Sequence, residues 1–303
     1  MTGPVGTVMA REGHTYRVAM DDREVQAVLR GKVKRSEAER KVVVGDRVHL
    51  DAPEEGGTWT IAAVEPRRNL LERRVPEGRG NRPVASNLDR IFVLTSAIDP
   101  EPVPQLVDRL LVLAEANEVL AAVIVNKIDL DPGAAIVARM RTAGYEVFAV
   151  SAETGQGLDL LLPELQGHVS LLTGPSGAGK SSLMNRIEPG LVLRTGAISE
   201  KVRRGKNTTV SAVMVPLAMG GFLVDTPGFS EVGLWGIEPR ELASCFPEIR
   251  PLIDECKFAD CRHLIEPACA VRAAVKSGTI QADRYDSYTV LLEELTSAPR
   301  DWE

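Results

Sequence analysis

Gly174-Pro175-Ser176-Gly177-Ala178-Gly179-Lys180-Ser181 reads G-x-x-x-x-G-K-S, and this stretch decides the fold. Its glycines let the backbone bend around a polyphosphate with the N–H groups turned inward. The helix that follows, through Ser181 and Ser182, adds its positive N-terminal end. Lys180 is expected to reach the β- and γ-phosphates, and the Ser181 hydroxyl to ligate Mg²⁺. A short apolar run at 168–172 precedes the loop and predicts a strand; 181–187 predicts a helix. Strand, Gly-rich loop, helix is the setting that separates a phosphate loop from an ordinary glycine turn.

Upstream the same rhythm repeats. Strands are predicted at 91–95, 119–125 and 145–150 and a helix at 134–142, and 158–165 is a short apolar run. The stretch 105–117 is apolar at 106, 107, 110, 111, 113 and 114, a helical face. Alternating strand and helix imply a mostly parallel sheet covered on both faces. Phosphate sites in such sheets lie at the carboxyl ends of the strands.

Motifs stand at those ends. Asn126-Lys127-Ile128-Asp129 is N-K-x-D. A carboxylate accepts from the ring N–H and the exocyclic amine of guanine at once, so Asp129 is the candidate base reader. The Lys127 stem can lie along the base, and Asn126 can brace the loop. Alone, N-K-x-D is a weak signal and reads equally as a polar turn. The backbone N–H of Ser151-Ala152 is placed to meet the guanine carbonyl oxygen. A predicted strand at 222–224 ends in Asp225-Thr226-Pro227-Gly228. Asp225 is placed to hold Mg²⁺, and the Gly228 N–H to sense the γ-phosphate. Thr208 and Thr209 offer a hydroxyl to the same metal. Joint occurrence at strand ends carries the GTP reading.

Residues 1–68 read as short alternating strands with turn signals, which suggests a small barrel of OB-fold type. Tyr16, Val18 and Met20 alternate with polar residues, as do Trp59, Ile61 and Ala63. A loop holding Lys32, Lys34, Arg35, Arg40 and Lys41 is either an RNA contact or merely solvated charge. Residues 69–87 read as a basic linker, since Pro76, Gly78, Gly80 and Pro83 break regular structure. With Arg67, Arg68, Arg73, Arg74, Arg79, Arg82 and Arg90 in and around it, it offers positive charge to phosphates. An α/β domain over 88–236 follows. Residues 237–303 hold Cys256-x₄-Cys261-x-His263-x₅-Cys269. Three thiolates and an imidazole suit one tetrahedral Zn²⁺ with no open position, hence a structural metal. Cys245 stands apart and reads as core.

Bulk properties limit the alternatives. A net charge of −6 over 303 residues gives no whole-protein basic field. No leader-type apolar core stands at the N-terminus, and the longest clean apolar run, 119–125, is too short to span a bilayer. The expectation is a cytoplasmic protein without disulfides.

The base-reading motifs precede the phosphate loop, the reverse of the ordinary GTPase order, which makes this a circular permutation. The chain resembles, over nearly its whole length, the circularly permuted GTPases of small ribosomal subunit biogenesis, the RsgA/YjeQ type. Ala85-Ser86-Asn87-Leu88-Asp89 looks like that family's start of the GTPase domain, and Arg204-Gly205-Lys206-Asn207-Thr208-Thr209 like its first switch. The resemblance implies an N-terminal OB-fold, a C-terminal zinc domain and a monomer. It also implies GTP hydrolysis to GDP, stimulated by the small subunit and its rRNA late in assembly. Two positions depart from common patterns. Phe229 follows Gly228 where many GTPases place a glutamine to orient water. The family shares that replacement and has a histidine before its paired threonines, where this chain has Asn207. Catalysis is therefore assigned to Lys180, Asn207, Thr208, Thr209 and Gly228, with Lys201, Arg203, Arg204 and Lys206 available to RNA. A nucleotide-gated binding module and a P-loop kinase or ATPase are the alternatives.

Overall fold

The computed structural model describes residues 3–21, 23–29, 42–53, 57–74, 81–190, 212–226, 234 and 237–297. The basic loop from Lys32 to Lys41, Arg79, the switch residues Lys201 to Thr209, and Pro227, Gly228 and Phe229 lie outside the described residues.

The N-terminal strands β1 (Val5–Glu12), β2 (Thr15–Ala19), β3 (Glu24–Leu29), β4 (Arg47–Asp51) and β5 (Trp59–Val64) close into a barrel in the order β1-β2-β3-β5-β4. Period-two alternation puts Tyr16, Val18, Ala27, Val48, Leu50 and Ile61 inside. Trp59 stays half-buried, with the Arg23 guanidinium 5.6 Å from its ring centre. This is the expected OB-type barrel.

The linker reading needs correction. Strands β6 (Leu70–Arg74) and β7 (Asn81–Ser86) pair antiparallel as a hairpin. The breakers Pro76, Gly78 and Gly80 fall between the two strands. Pro83 is tolerated because a two-stranded sheet is all edge, and a register shift lies at Leu71/Glu72, beside Pro83's partner. Part of the arginine charge is spent inside the fold. Arg67 holds the fully buried Asp46 at 2.7 and 2.8 Å. Arg68 donates to the Asn87 carbonyl and to Asp89, and Arg90 to Glu146 and Glu164.

The central sheet comprises β8 (Arg90–Ser96), β9 (Leu120–Asn126), β10 (Glu146–Ala149), β11 (Val169–Thr173), β12 (Val213–Pro216) and β13 (Phe222–Asp225). Its order is β10-β9-β8-β11-β13-β12, parallel throughout except for β12. The phosphate-loop strand β11 thus sits between the strands that precede it and those that follow it. Alternate residues feed opposite cores. Ile91, Val93, Val123 and Val125 face α1 (Pro104–Ala116) and α2 (Ala134–Thr142). Phe92, Leu94, Ile124 and Phe148 face α3 (Leu158–Leu165) and α4 (Lys180–Ile187).

The C-terminal region has two 3-10 segments, Leu242–Cys245 and Arg250–Glu255, then α5 (Ala270–Ser277) and α6 (Ala282–Ser297). It covers the outer side of α1, so Val107 and Asp108 and every residue from Leu110 to Ala114 are buried. Phe246, Ile249, Tyr288 and Leu291 share one core with Leu110 and Leu111, and Cys245 is buried among them as expected. Asp108 is fully buried in that seam. Arg139 of α2 grips its carboxylate at 2.8 and 2.7 Å, and Arg284 of α6 donates to it at 2.5 Å. Arg284 also bonds Glu248 and lies 4.7 Å from the centre of the Phe246 ring.

Candidate nucleotide site and metal centre

At the carboxyl ends of β11 and β13 the backbone turns around a cleft of about 480 Å³. Gly174, Pro175, Ser176, Gly177, Gly179, Lys180, Ser181 and Ser182 line it, joined by Lys127, Thr173 and Thr226. Two glycines are enforced by close approach. A Cβ on Gly174 would stand 2.2 Å from the Leu94 carbonyl oxygen, and one on Gly179 2.3 Å from Asn126 Nδ2. Gly179 caps α4 at φ 92°, with no side chain capping the helix, so the end that attracts anions opens at the loop.

The sequence motifs converge here. Asn126, buried, donates from Nδ2 to the Ala178 carbonyl at 3.0 Å and accepts at Oδ1 from the Ala152 N–H at 3.0 Å. One amide therefore ties the N-K-x-D loop to the phosphate loop and to the loop after β10. Lys127, at φ 66°, lines the cleft and donates from Nζ to the Asp99 carbonyl. Asp129 is exposed beyond it. Lys180 Nζ meets Asp225 Oδ1 at 2.7 Å, which brings the phosphate lysine and the candidate metal carboxylate together.

Ser151 and Ala152 differ from expectation. Their N–H groups turn inward, to the Gln156 carbonyl and to Asn126 Oδ1, because the loop closes on itself through Ser151. Thr226 belongs to no separate sequence signal of its own. Its hydroxyl is buried on the cleft wall with no hydrogen-bond partner among the described residues, an orphan that a phosphate oxygen or a hydrated cation would satisfy. Its position between Asp225 and Pro227 was the available signal. The part played by the Asp99 carbonyl left no sequence signal, because a backbone oxygen is common to every residue type.

Cys256, Cys261, His263 and Cys269 place their ligand atoms within 4.8 Å of one another. Cys256 and Cys269 sulfurs are 3.9 Å apart, and each lies 3.5 Å from His263 Nδ1. A tetrahedral zinc with ordinary bond lengths would set about 3.8 Å between sulfurs and about 3.6 Å from sulfur to nitrogen, so the cluster fits the ion. Cys269 caps α5, its sulfur accepting from the Arg272 N–H at 3.5 Å. The His263 backbone, at φ 62°, is held by the Tyr285 hydroxyl on its carbonyl and by Glu266, which accepts from the N–H groups of Arg262, Leu264 and Ile265. Burial keeps the imidazole below its ordinary pKa, hence neutral and able to ligate. Burial, with Cys269 and Cys256 alongside, pushes the Cys261 thiol up to about 12, and a bound cation would reverse that.

Comparison with known proteins agrees with this geometry. The family described as RsgA GTPase matches residues 64–235. A protein of Gemmatimonas aurantiaca named small ribosomal subunit biogenesis GTPase RsgA is 47% identical over 302 residues, covering 97% of this chain and 98% of its own. One of the same name from Moorella thermoacetica is 38% identical, covering 98% and 99%. Among solved structures, YjeQ from Thermotoga maritima superposes with a TM-score of 0.81 at 33% identity, over 98% of this chain and 99% of its own. YloQ, a circularly permuted GTPase, does so at 0.78 and 30%, over 98% and 96%.

Proposed function

The chain belongs to the RsgA GTPase family and hydrolyses GTP, and from that premise we propose that it matures the small ribosomal subunit, docking late in assembly and leaving after hydrolysis. The observation that carries the reading is Asn126, which joins base loop and phosphate loop at one cleft. Lys180 binds the β- and γ-phosphates and leaves Asp225 when nucleotide enters. Asp129 reads guanine. Ser181 and Asp225, with Thr208 or Thr209, hold Mg²⁺, which neutralises phosphate charge when bound. Asn207 positions the attacking water, and the Gly228 N–H senses the γ-phosphate. The zinc held by Cys256, Cys261, His263 and Cys269 is structural.

The division we assign is an OB-fold to residue 68, a hairpin connection over 69–87, the GTPase domain over 88–236 and the zinc domain from 237. The protein acts in the cytoplasm as a monomer, and among the described residues no helix is long and apolar enough to cross a membrane. Its partner is the small subunit with its rRNA, gripped through Lys201, Arg203, Arg204 and Lys206. The test is GTP turnover with and without purified small subunits at two salt concentrations. We expect stimulation that weakens in high salt. Equal rates with and without subunits would reject the activation mechanism.

A further inference from the structure

A groove of about 550 Å³ lies behind the base-reading loop. The β8–α1 connection supplies Ile98, Glu101 and Pro102; Asp131 stands just before α2, and Gln281 and Asp283 at the start of α6. Its chemistry is one-sided. Glu101, Asp131 and Asp283 are acidic. Among the described residues lining the groove, the only cation is Arg139. That guanidinium is already committed to both Asp108 oxygens and to Asp283. The positive end of α2 is already met by Asp131, whose Oδ1 accepts from the Gly133 N–H at 2.8 Å. Gln281 Oε1 is buried and takes no hydrogen bond from any described residue. Ile98, 40% exposed, and Pro102 add an apolar stretch.

We propose that this groove binds a basic peptide segment. A lysine or arginine of that segment meets Glu101 and Asp131, and an apolar neighbour covers Ile98 and Pro102. Glu101 and Asp131, exposed and without an ion-pair partner among the described residues, select a cation, and the apolar stretch selects a side chain attached to something greasy. A nucleic-acid backbone would face the unpaired carboxylates of Glu101 and Asp131 here.

The groove adjoins the nucleotide site. Asp99, in the same β8–α1 connection, accepts from Lys127, and Pro100 Cδ would lie 3.2 Å from a Cβ on Gly177. The Asp131 N–H donates to the Lys127 carbonyl. Peptide and guanine nucleotide should therefore change each other's affinity by one common factor. This coupling rests on the proposed guanine site, whereas peptide binding does not.

The test uses the full chain, with and without GDP, titrated with a labelled peptide carrying two lysines and two leucines. A lysine–serine peptide of equal charge and a glutamate–leucine peptide serve as controls. The lysine–leucine peptide should bind about tenfold tighter than either control. Glu101→Lys should weaken it about fivefold. Ala135→Phe, which fills the groove from an exposed position on α2, should block it while GDP binding without peptide is unchanged. Equal binding of the two lysine peptides, or wild-type affinity in both variants, overturns the site. Equal peptide affinity with and without GDP overturns the coupling. Failure of GDP to bind at all rejects the guanine reading instead.

Discussion

Asn126 shows how much one side chain can organise. Its amide supplies a donor to Ala178 and an acceptor to Ala152, and no other residue type offers both at that length. Asn126→Ala removes two buried hydrogen bonds, each worth about 1 kcal/mol. GTP and GDP should both bind at least about tenfold more weakly while the melting temperature falls little. A fluorescence titration showing wild-type affinity would contradict the bracing role. Asp129, the proposed base reader, is open to solvent. Xanthine presents a carbonyl where guanine presents an amine, so Asp129→Asn should lose GTP and gain XTP. Competition titrations with the two nucleotides check this.

Among the elements, α1 is buried without a break from Leu110 to Ala114, more than a full turn, which an amphipathic surface helix is not. The exception among its buried residues is Asp108. Burial alone would raise its carboxyl, but Arg139 and Arg284 outweigh that and hold it below the usual range. Its contribution is therefore fully present above the unfolded value, about 3.9, and is lost as pH falls through the lower folded value. Asp108→Asn leaves two arginines facing a neutral amide and should cost about 3–5 kcal/mol at neutral pH. Denaturant melts should show the gap between variant and wild type closing below about pH 4. The metal loop sets α5 and α6 in place through Cys269 and through Tyr285 and Tyr288, whose hydroxyls donate to the carbonyls of His263 and Arg262. Native protein should carry one zinc per chain. Cys256→Ala should lose it and unfold this region, because binding and folding are coupled there. Elemental analysis finding the metal retained would refute the ligand set.

At the scale of the whole molecule, both flanking regions are tied to the elements around the central sheet. Asp46 takes two bonds from Arg67, one from the Ser86 hydroxyl at 2.6 Å and one from the Val43 N–H at 2.9 Å. Asp46→Ala strands those donors and should make the barrel the first part to open. The phosphate loop lies at the other ends of the central sheet's strands, so nucleotide binding should persist. Hydrogen exchange with GDP present reads both; unchanged protection in β1 to β5 would mean that the network does not hold the barrel. On the other flank, Arg139 and Arg284 tie the zinc region to α1 and α2, which belong to the base-reading half. Leu234 is buried in the same core. Packed side chains thus run from α1 and α2 to the C-terminal region.

The phosphate loop, the N-K-x-D loop, the alternation of strand and helix, and the four metal ligands were legible in the chain because each is local. Residue types at fixed spacing identify each of them without knowledge of which distant segment packs against it. The permuted order was legible too, since it is a property of sequence order alone. The β6–β7 hairpin was not. Its proline and glycines signal breaks, and only pairing between the two arms turns a broken segment into a sheet. The same holds for Arg67, Arg68 and Arg90, which read as free charge until Asp46, Asp89, Glu146 and Glu164 arrive from distant positions. Asp108 looks like one more polar residue on a helix. That it is the buried centre of a five-residue ionic seam with Arg139, Asp283, Arg284 and Glu248 depends on α2, α6 and residue 248 meeting over α1, and no local pattern encodes that meeting.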